Sequence, residues 1–190
     1  MVFFFALRKY VKVGVIMDYI ALFQRIKIGK HDKIKMIELE YLFKVLGFQD
    51  INVYYQNGNV VFKSDKSETE IRKLIEKEII IRYHCTIPVI IRTIDDFKLV
   101  LLNCPFPEAK IEMANQIRGA ELFIVFLKQA PKCIDCLQQF YAEYKIVQRE
   151  LYILTRKVAA NLLKHLTILD IHATVRDLRT VKKIINILNK

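Results

Sequence analysis

The sequence predicts an α+β protein built from two ferredoxin-like halves, each a β-α-β-β-α-β sandwich of antiparallel sheet and helices. Two observations carry this expectation. Residues 53–62 place Gln56-Asn57-Gly58-Asn59 between two apolar, β-prone runs. Asn-Gly in that setting is the strongest short-range hairpin signal, because a type I′ turn needs positive φ at both central residues. The same order of strand-like and helix-like patterns then occurs twice along the chain. The composition of the 190 residues fits a packed core: 53% are apolar, with only 5 Gly and 4 Pro.

Residues 1–16 read as an extension, an extra edge strand or an over-long start, 17–103 as the first half, 104–120 as a connection and 121–190 as the second half. Tyr19–Phe23 is short and apolar, as a buried strand should be. A basic loop, Gln24–Lys33, follows it, and Asp32 is placed to cap the next helix. In that helix Ile34, Ile37, Tyr41, Leu42, Val45 and Leu46 recur at helical spacing, and Gly47 is placed to end it. Hairpin strands are expected at 51–56 and 59–64. Ser64–Ser67 supplies caps for a helix over 68–83, with Ile71, Leu74, Ile75 and Ile79 inward. Pro88–Arg92 reads as a strand with proline at its first position. A short helix over 95–103, capped by Asp95, stops at Pro105 and Pro107.

The connection holds a helical turn or two at 109–117. Glu121–Leu127 is an apolar strand, and a short helix is expected at 131–141. Tyr144–Val147 and Glu150–Leu154 flank Gln148-Arg149, a second hairpin without Gly or Asn in its turn. Ala159, Leu162, Leu163 and Leu166 mark a helix, and residues 171–174 a strand. Residues 177–188 close the chain as a helix with Leu178, Val181, Ile184, Ile185 and Leu188 inward.

Five separated segments share their order and spacing with one known family. Residues 21–36 are similar to ALLRGINVGGKNKIKM, and 54–62 to YIQSGNVVF. Residues 104–107 are similar to NPFP, 149–152 to GRELYL, and 174–184 to TARNWRTVTKL. On these residues the chain resembles the bacterial "domain of unknown function 1697" family over about residues 17–189. The resemblance implies a compact cytosolic α/β protein with ferredoxin-like parts, and it brings no assigned activity. The first motif departs most: Gln24-Arg25 stands for Arg-Gly, Lys27 for Asn, and Lys30 for the second Gly. In the last motif Asp177-Leu178 replaces Asn-Trp, while Arg176, Arg179 and Thr180 remain.

The net charge of +11, from 31 Lys and Arg against 20 Asp and Glu, favours polyanionic partners over cationic ones. No apolar run reaches the ~18 residues of a membrane span. Cys85, Cys104, Cys133 and Cys136 do not make a disulfide framework, and the order of apolar and basic residues at the start is not that of a signal peptide. The chain therefore reads as cytoplasmic. Cys133-Ile-Asp-Cys136 is a single C-x-x-C, too little for a zinc site. His31, His84, His165 and His172 are scattered, and no nucleophile–base–orienter set can be named. Neither a metal nor a cofactor is expected.

What remains is an anion-binding pattern. Backbone N–H groups at a helix start favour anions, and Arg25, Lys27 and Lys30 add charge to the loop ahead of the first helix. Arg176 and Arg179, read as lying at the start of the last helix, offer guanidinium forks suited to phosphate or carboxylate. Asn57 and Asn59 give the hairpin turn a polar rim. The plainer alternatives are a solvated basic loop, a surface ion pair and a simple turn. Tyr54, Tyr55 and Phe62 could stack bases if they were exposed. The leading expectation is a non-catalytic binder of an anionic ligand, either nucleic acid or a phosphorylated small molecule. The alternatives are a small enzyme with its site between the halves, and an interaction or vestigial module without catalysis.

Overall fold

A computed structural model of the chain describes residues 15–24, 34–54, 58–116, 121–130, 143–155, 164 and 173–189. In these residues the first half runs β1 (Met17–Phe23), α1 (Met36–Val45), β2 (Gln49–Tyr54), β3 (Asn59–Ser64), α2 (Glu68–Tyr83) and β4 (Val89–Thr93). Helices α3 (Ile94–Leu102) and α4 (Glu108–Gln116) lead to β5 (Glu121–Leu127), β6 (Tyr144–Val147), β7 (Glu150–Thr155), β8 (Ala173–Asp177) and α5 (Leu178–Leu188). The helices expected at 131–141 and 159–166, the Cys133–Cys136 pair and residues 1–14 lie outside the described residues.

The strands form two antiparallel four-stranded sheets with matching orders, β2-β3-β1-β4 and β6-β7-β5-β8. The α+β class and the two-halves arrangement are thus as expected. Alternation along β1 explains how one sheet serves two cores. Tyr19, Ala21 and Phe23 face α1 and α2, where they pack with Leu42, Phe43, Phe62 and Ile75. Ile20 and Leu22 face the other way, toward Ile124 and Phe126 of β5, with Phe97 of α3 and Val181 of α5 closing the space. The second core is therefore shared by the halves.

Local chemistry sets the element ends. Ser67 caps α2 by accepting from the Glu70 N–H, and the Glu70 carboxylate accepts in return from the Ser67 N–H at 2.9 Å. Asp177 caps α5 through the Thr180 N–H at 2.7 Å. Gly47, just past α1, has φ 78°, the left-handed conformation that ends helices.

Several expectations shift. Thr93, not Asp95, caps α3: its hydroxyl accepts from the Asp96 N–H at 3.1 Å. The first hairpin strand begins at Gln49 rather than 51, with its expected end at 56 outside the described residues, and carries an irregularity between Gln49 and Asn52, where Asp50 takes φ 50°. Helix α1 turns a different face inward. Leu39, Leu42 and Phe43 are buried, while Ile37 and Tyr41 are 72% and 58% exposed. The cause is the aromatic cluster on the sheet: Phe43 sits 5.0 Å from Phe62 and 5.5 Å from Phe48. These contacts set the rotation of the helix, and they come from outside its own sequence. The cap expected at Asp32 lies outside the described residues; the described helix begins after Lys35, whose N–H donates to Glu38.

Candidate functional site at the seam between the halves

Two arginines hold the halves together, and each does so from the same place in its own sheet. Arg92 on β4 pairs in register with Ile20, and Arg176 on β8 with Ile124. Alternation turns both toward the opposite half, where they are 2% and 6% exposed. Arg92 donates from Nε to Glu150 at 2.9 Å and from Nη2 to the Leu127 carbonyl at 2.6 Å. Arg176 donates from Nε to the Asn59 side-chain oxygen at 2.9 Å and from Nη2 to the Phe23 carbonyl at 3.0 Å. Each arginine also donates from Nη1 to the carbonyl of the residue before it, Ile91 or Val175, at 2.9 Å. Asn59 pairs with Leu22 as Glu150 pairs with Phe126. The two sets are related by an internal pseudo-two-fold: the last strand of each half grips the first strand and hairpin of the other.

Burying two guanidinium groups is costly, and what offsets it is the completeness of their bonding. Burial lowers the Arg176 pKa from 12.5 to about 10. Burial also lowers that of Arg92, and the Glu150 carboxylate opposes the shift. Both remain charged at neutral pH.

Among the expected site residues, Asn59 and Arg176 meet directly at this seam. Arg176 belongs to β8, one residue before the helix cap, rather than to the start of the helix. Its partner carbonyl, Phe23, ends the strand from which the basic segment departs, and the Phe23 N–H donates to the Gly58 carbonyl at 2.9 Å. Gln24 is tied to Pro88 by a backbone bond of 3.2 Å. The end of β1, Gly58, Asn59 and Arg176 thus converge. Arg25, Lys27, Lys30 and Asn57 lie outside the described residues, bracketed by Gln24 and by buried Ile34 on one side of the sequence and by Gly58 on the other. Arg179 is not part of this convergence. Its side chain is 76% exposed and pairs with Glu121. Phe62 lies in the first core, fully buried.

The pseudo-symmetric counterpart of this corner is an open cleft of about 250 Å³. Arg72, Arg92, Lys128 and Arg149 line it, with Glu68 and Thr69 from the first turn of α2. Arg149 stands where Gly58 stands on the other side, as its carbonyl accepts from Leu127 at 2.9 Å. Its guanidinium forks onto Glu68 at 2.7 and 3.3 Å and reaches Asp96 at 3.4 Å. The Glu68 hydrogen bond raises the Arg149 pKa. Sequence reasoning passed over Arg92, Arg149 and Glu150. A signal was present: Arg92 interrupts an apolar strand, and Glu150 opens another.

Tyr152 completes the inner face of β7. It is 1% exposed, and its hydroxyl donates to the Val100 carbonyl at 2.8 Å. Burial holds its phenol far above the ordinary 10.0. A phenol raised in this way favours folding below its unfolded value, and that advantage is lost as the pH climbs through and beyond 10. Arg176 works in the opposite sense: its folded value lies below its unfolded one, so it adds stability as pH rises from about 10. Tyr152→Phe separates the two. It should cost about 1 kcal/mol at pH 7 through the lost hydrogen bond. Above pH 10 the wild type should lose up to about 1.4 kcal/mol per pH unit relative to the variant, so the difference shrinks and reverses. Urea unfolding at pH 7 and pH 11 measures it.

Comparisons with known proteins bear on the fold. The model of a family described as "Protein of unknown function (DUF1697)" matches residues 16–152. A solved structure, that of the conserved bacterial protein SP0830 from Streptococcus pneumoniae, superposes with a TM-score of 0.63 at 19% identity. The alignment covers 91% of this chain and 99% of that one. Comparison with curated proteins gives no significant match.

Proposed function

The chain belongs to the DUF1697 family of proteins of unknown function, and from that premise we propose that it binds a phosphorylated small molecule without catalysis, where the basic segment 25–33 meets the seam. The observation that supports this reading most directly is the Arg176 bond to the Phe23 carbonyl, beside Gly58 and Asn59. It holds the end of β1, which Arg25, Lys27 and Lys30 follow in the sequence, beside Gly58, which Asn57 precedes. In this reading Arg176 and Asn59 are positioning residues. Their polar atoms are engaged with each other and with backbone, so they hold the corner while the lysines and Arg25 meet the anion. Compact phosphate recognition needs only charge and N–H groups gathered at one place. Binding of single-stranded nucleic acid needs exposed stacking platforms as well, and burial of Phe62 in the first core removes one of the three aromatics considered for that role.

The test is calorimetric titration with pyrophosphate at low salt. Wild type should bind saturably, and more weakly as salt rises. Arg25→Ala combined with Lys30→Ala should weaken binding about tenfold or more, with an unchanged melting temperature. Arg179→Ala should bind as wild type does. Equal affinity in wild type and the double variant would overturn the proposal, as would no binding by either.

A further inference from the structure

A cleft of about 400 Å³ lies between the 101–112 segment and α5, lined by none of Asn59, Arg92, Glu150 and Arg176. Leu101, Phe106, Ile111 and Leu178 give it an apolar lining. Its charged residues come in two sets of opposite sign. Glu108 and Glu112 stand one turn apart on α4, and Arg179 and Lys182 three residues apart on α5, so each pair shares a helix face. The two sets do not neutralise each other. Among the described residues Glu108, Glu112 and Lys182 take part in no ion pair, and Arg179 turns to Glu121 instead.

Charge complementarity narrows what fits. A simple anion would meet two carboxylates, and a simple cation would meet an arginine and a lysine. A purely apolar molecule would strip water from all four without replacing it. The volume is that of a small-molecule site, roughly 300–1,000 Å³, too small for a folded partner. We propose that this cleft binds a free apolar α-amino acid. The ammonium lies against Glu108 and Glu112, the carboxylate against Arg179 and Lys182, and the side chain against Leu101, Ile111 and Leu178. This assigns Arg179 to a site separate from the seam, and explains why it stands apart from Arg176.

The full chain is titrated with L-leucine and L-phenylalanine by calorimetry. N-acetyl-L-phenylalanine, which lacks the ammonium, and phenethylamine, which lacks the carboxylate, serve as single-charge analogues. Saturable binding of the amino acids is expected, with each analogue weaker by about tenfold. Glu112→Gln and Lys182→Gln are exposed changes that should leave the melting temperature alone and each weaken binding about tenfold. Cys104 also lines the cleft. Bound amino acid should slow its alkylation, read at that residue by mass spectrometry. The Arg25→Ala, Lys30→Ala variant should bind the amino acids unchanged, which keeps this site distinct from the phosphate site. The proposal is overturned if neither amino acid binds saturably, if the analogues bind as tightly, or if the Gln variants are indistinguishable from wild type.

Discussion

Glu150→Leu is expected to destabilise the protein by about 3–5 kcal/mol, because it leaves the buried Arg92 guanidinium without its carboxylate. The pair is formed at 2.9 Å, with the arginine side chain 2% and the glutamate side chain 11% exposed. The carbonyls of Ile91 and Leu127 would still accept, but they cannot balance the charge. Glu150→Asn should cost less, since Asn59 fills the equivalent place opposite Arg176 and accepts the same Nε bond. Removing both charges, as Arg92→Met with Glu150→Leu, should recover much of the loss, because the desolvation cost of the arginine disappears with it. Urea denaturation of wild type, Arg92→Met, Glu150→Leu and the double variant gives the cycle. A loss below about 1 kcal/mol for Glu150→Leu would show that the pair does not hold the seam.

The second large effect is expected at Arg176. Arg176→Met should cost about 2–3 kcal/mol, since it orphans the buried Asn59 side-chain oxygen, at roughly 1–3 kcal/mol for such a group, and leaves the Phe23 carbonyl with the Thr174 hydroxyl as its remaining side-chain donor. Arg176→Lys should rescue only part of this. A lysine has no planar fork, and the native bonds leave Nε, Nη1 and Nη2 in fixed directions to Asn59, Thr174, Val175 and Phe23. Thermal unfolding reads the stability. Pyrophosphate titration of Arg176→Lys reads the consequence for the corner: affinity should fall although the charge is kept, because the guanidinium acts by fixing the end of β1. Unchanged affinity in a destabilised Arg176→Lys protein would limit the residue to holding the halves together.

Much of the fold was legible because much of it is locally encoded. Helix α2 runs over 68–83 and β5 over 121–127, as their patterns predict. The second hairpin forms at Gln148-Arg149 without glycine, with Gln148 taking φ 55°. The inward residues of α5 follow from its sequence, since its apolar stripe is sharply one-sided. Helix α1 was misjudged because it has apolar residues all round, so periodicity alone could not choose its buried face. The Phe43 contacts with Phe48 and Phe62 chose it.

The candidate site was legible only as residue types. The sequence by itself determined most of the described elements, the two hairpins, the Ser67 cap of α2 and a basic segment after the first strand, all through interactions a few residues long. Tertiary structure alone decided that Asn59 and Arg176, 117 positions apart, would share a hydrogen bond, and that Arg92 and Glu150, 58 apart, would form their counterpart. It also sent Arg179 away from Arg176, three residues before it, to a different cleft. The reason is physical. Alternation tells which face of a strand a side chain occupies, but what lies across that face is set by how two sheets pack, and no local pattern carries that information.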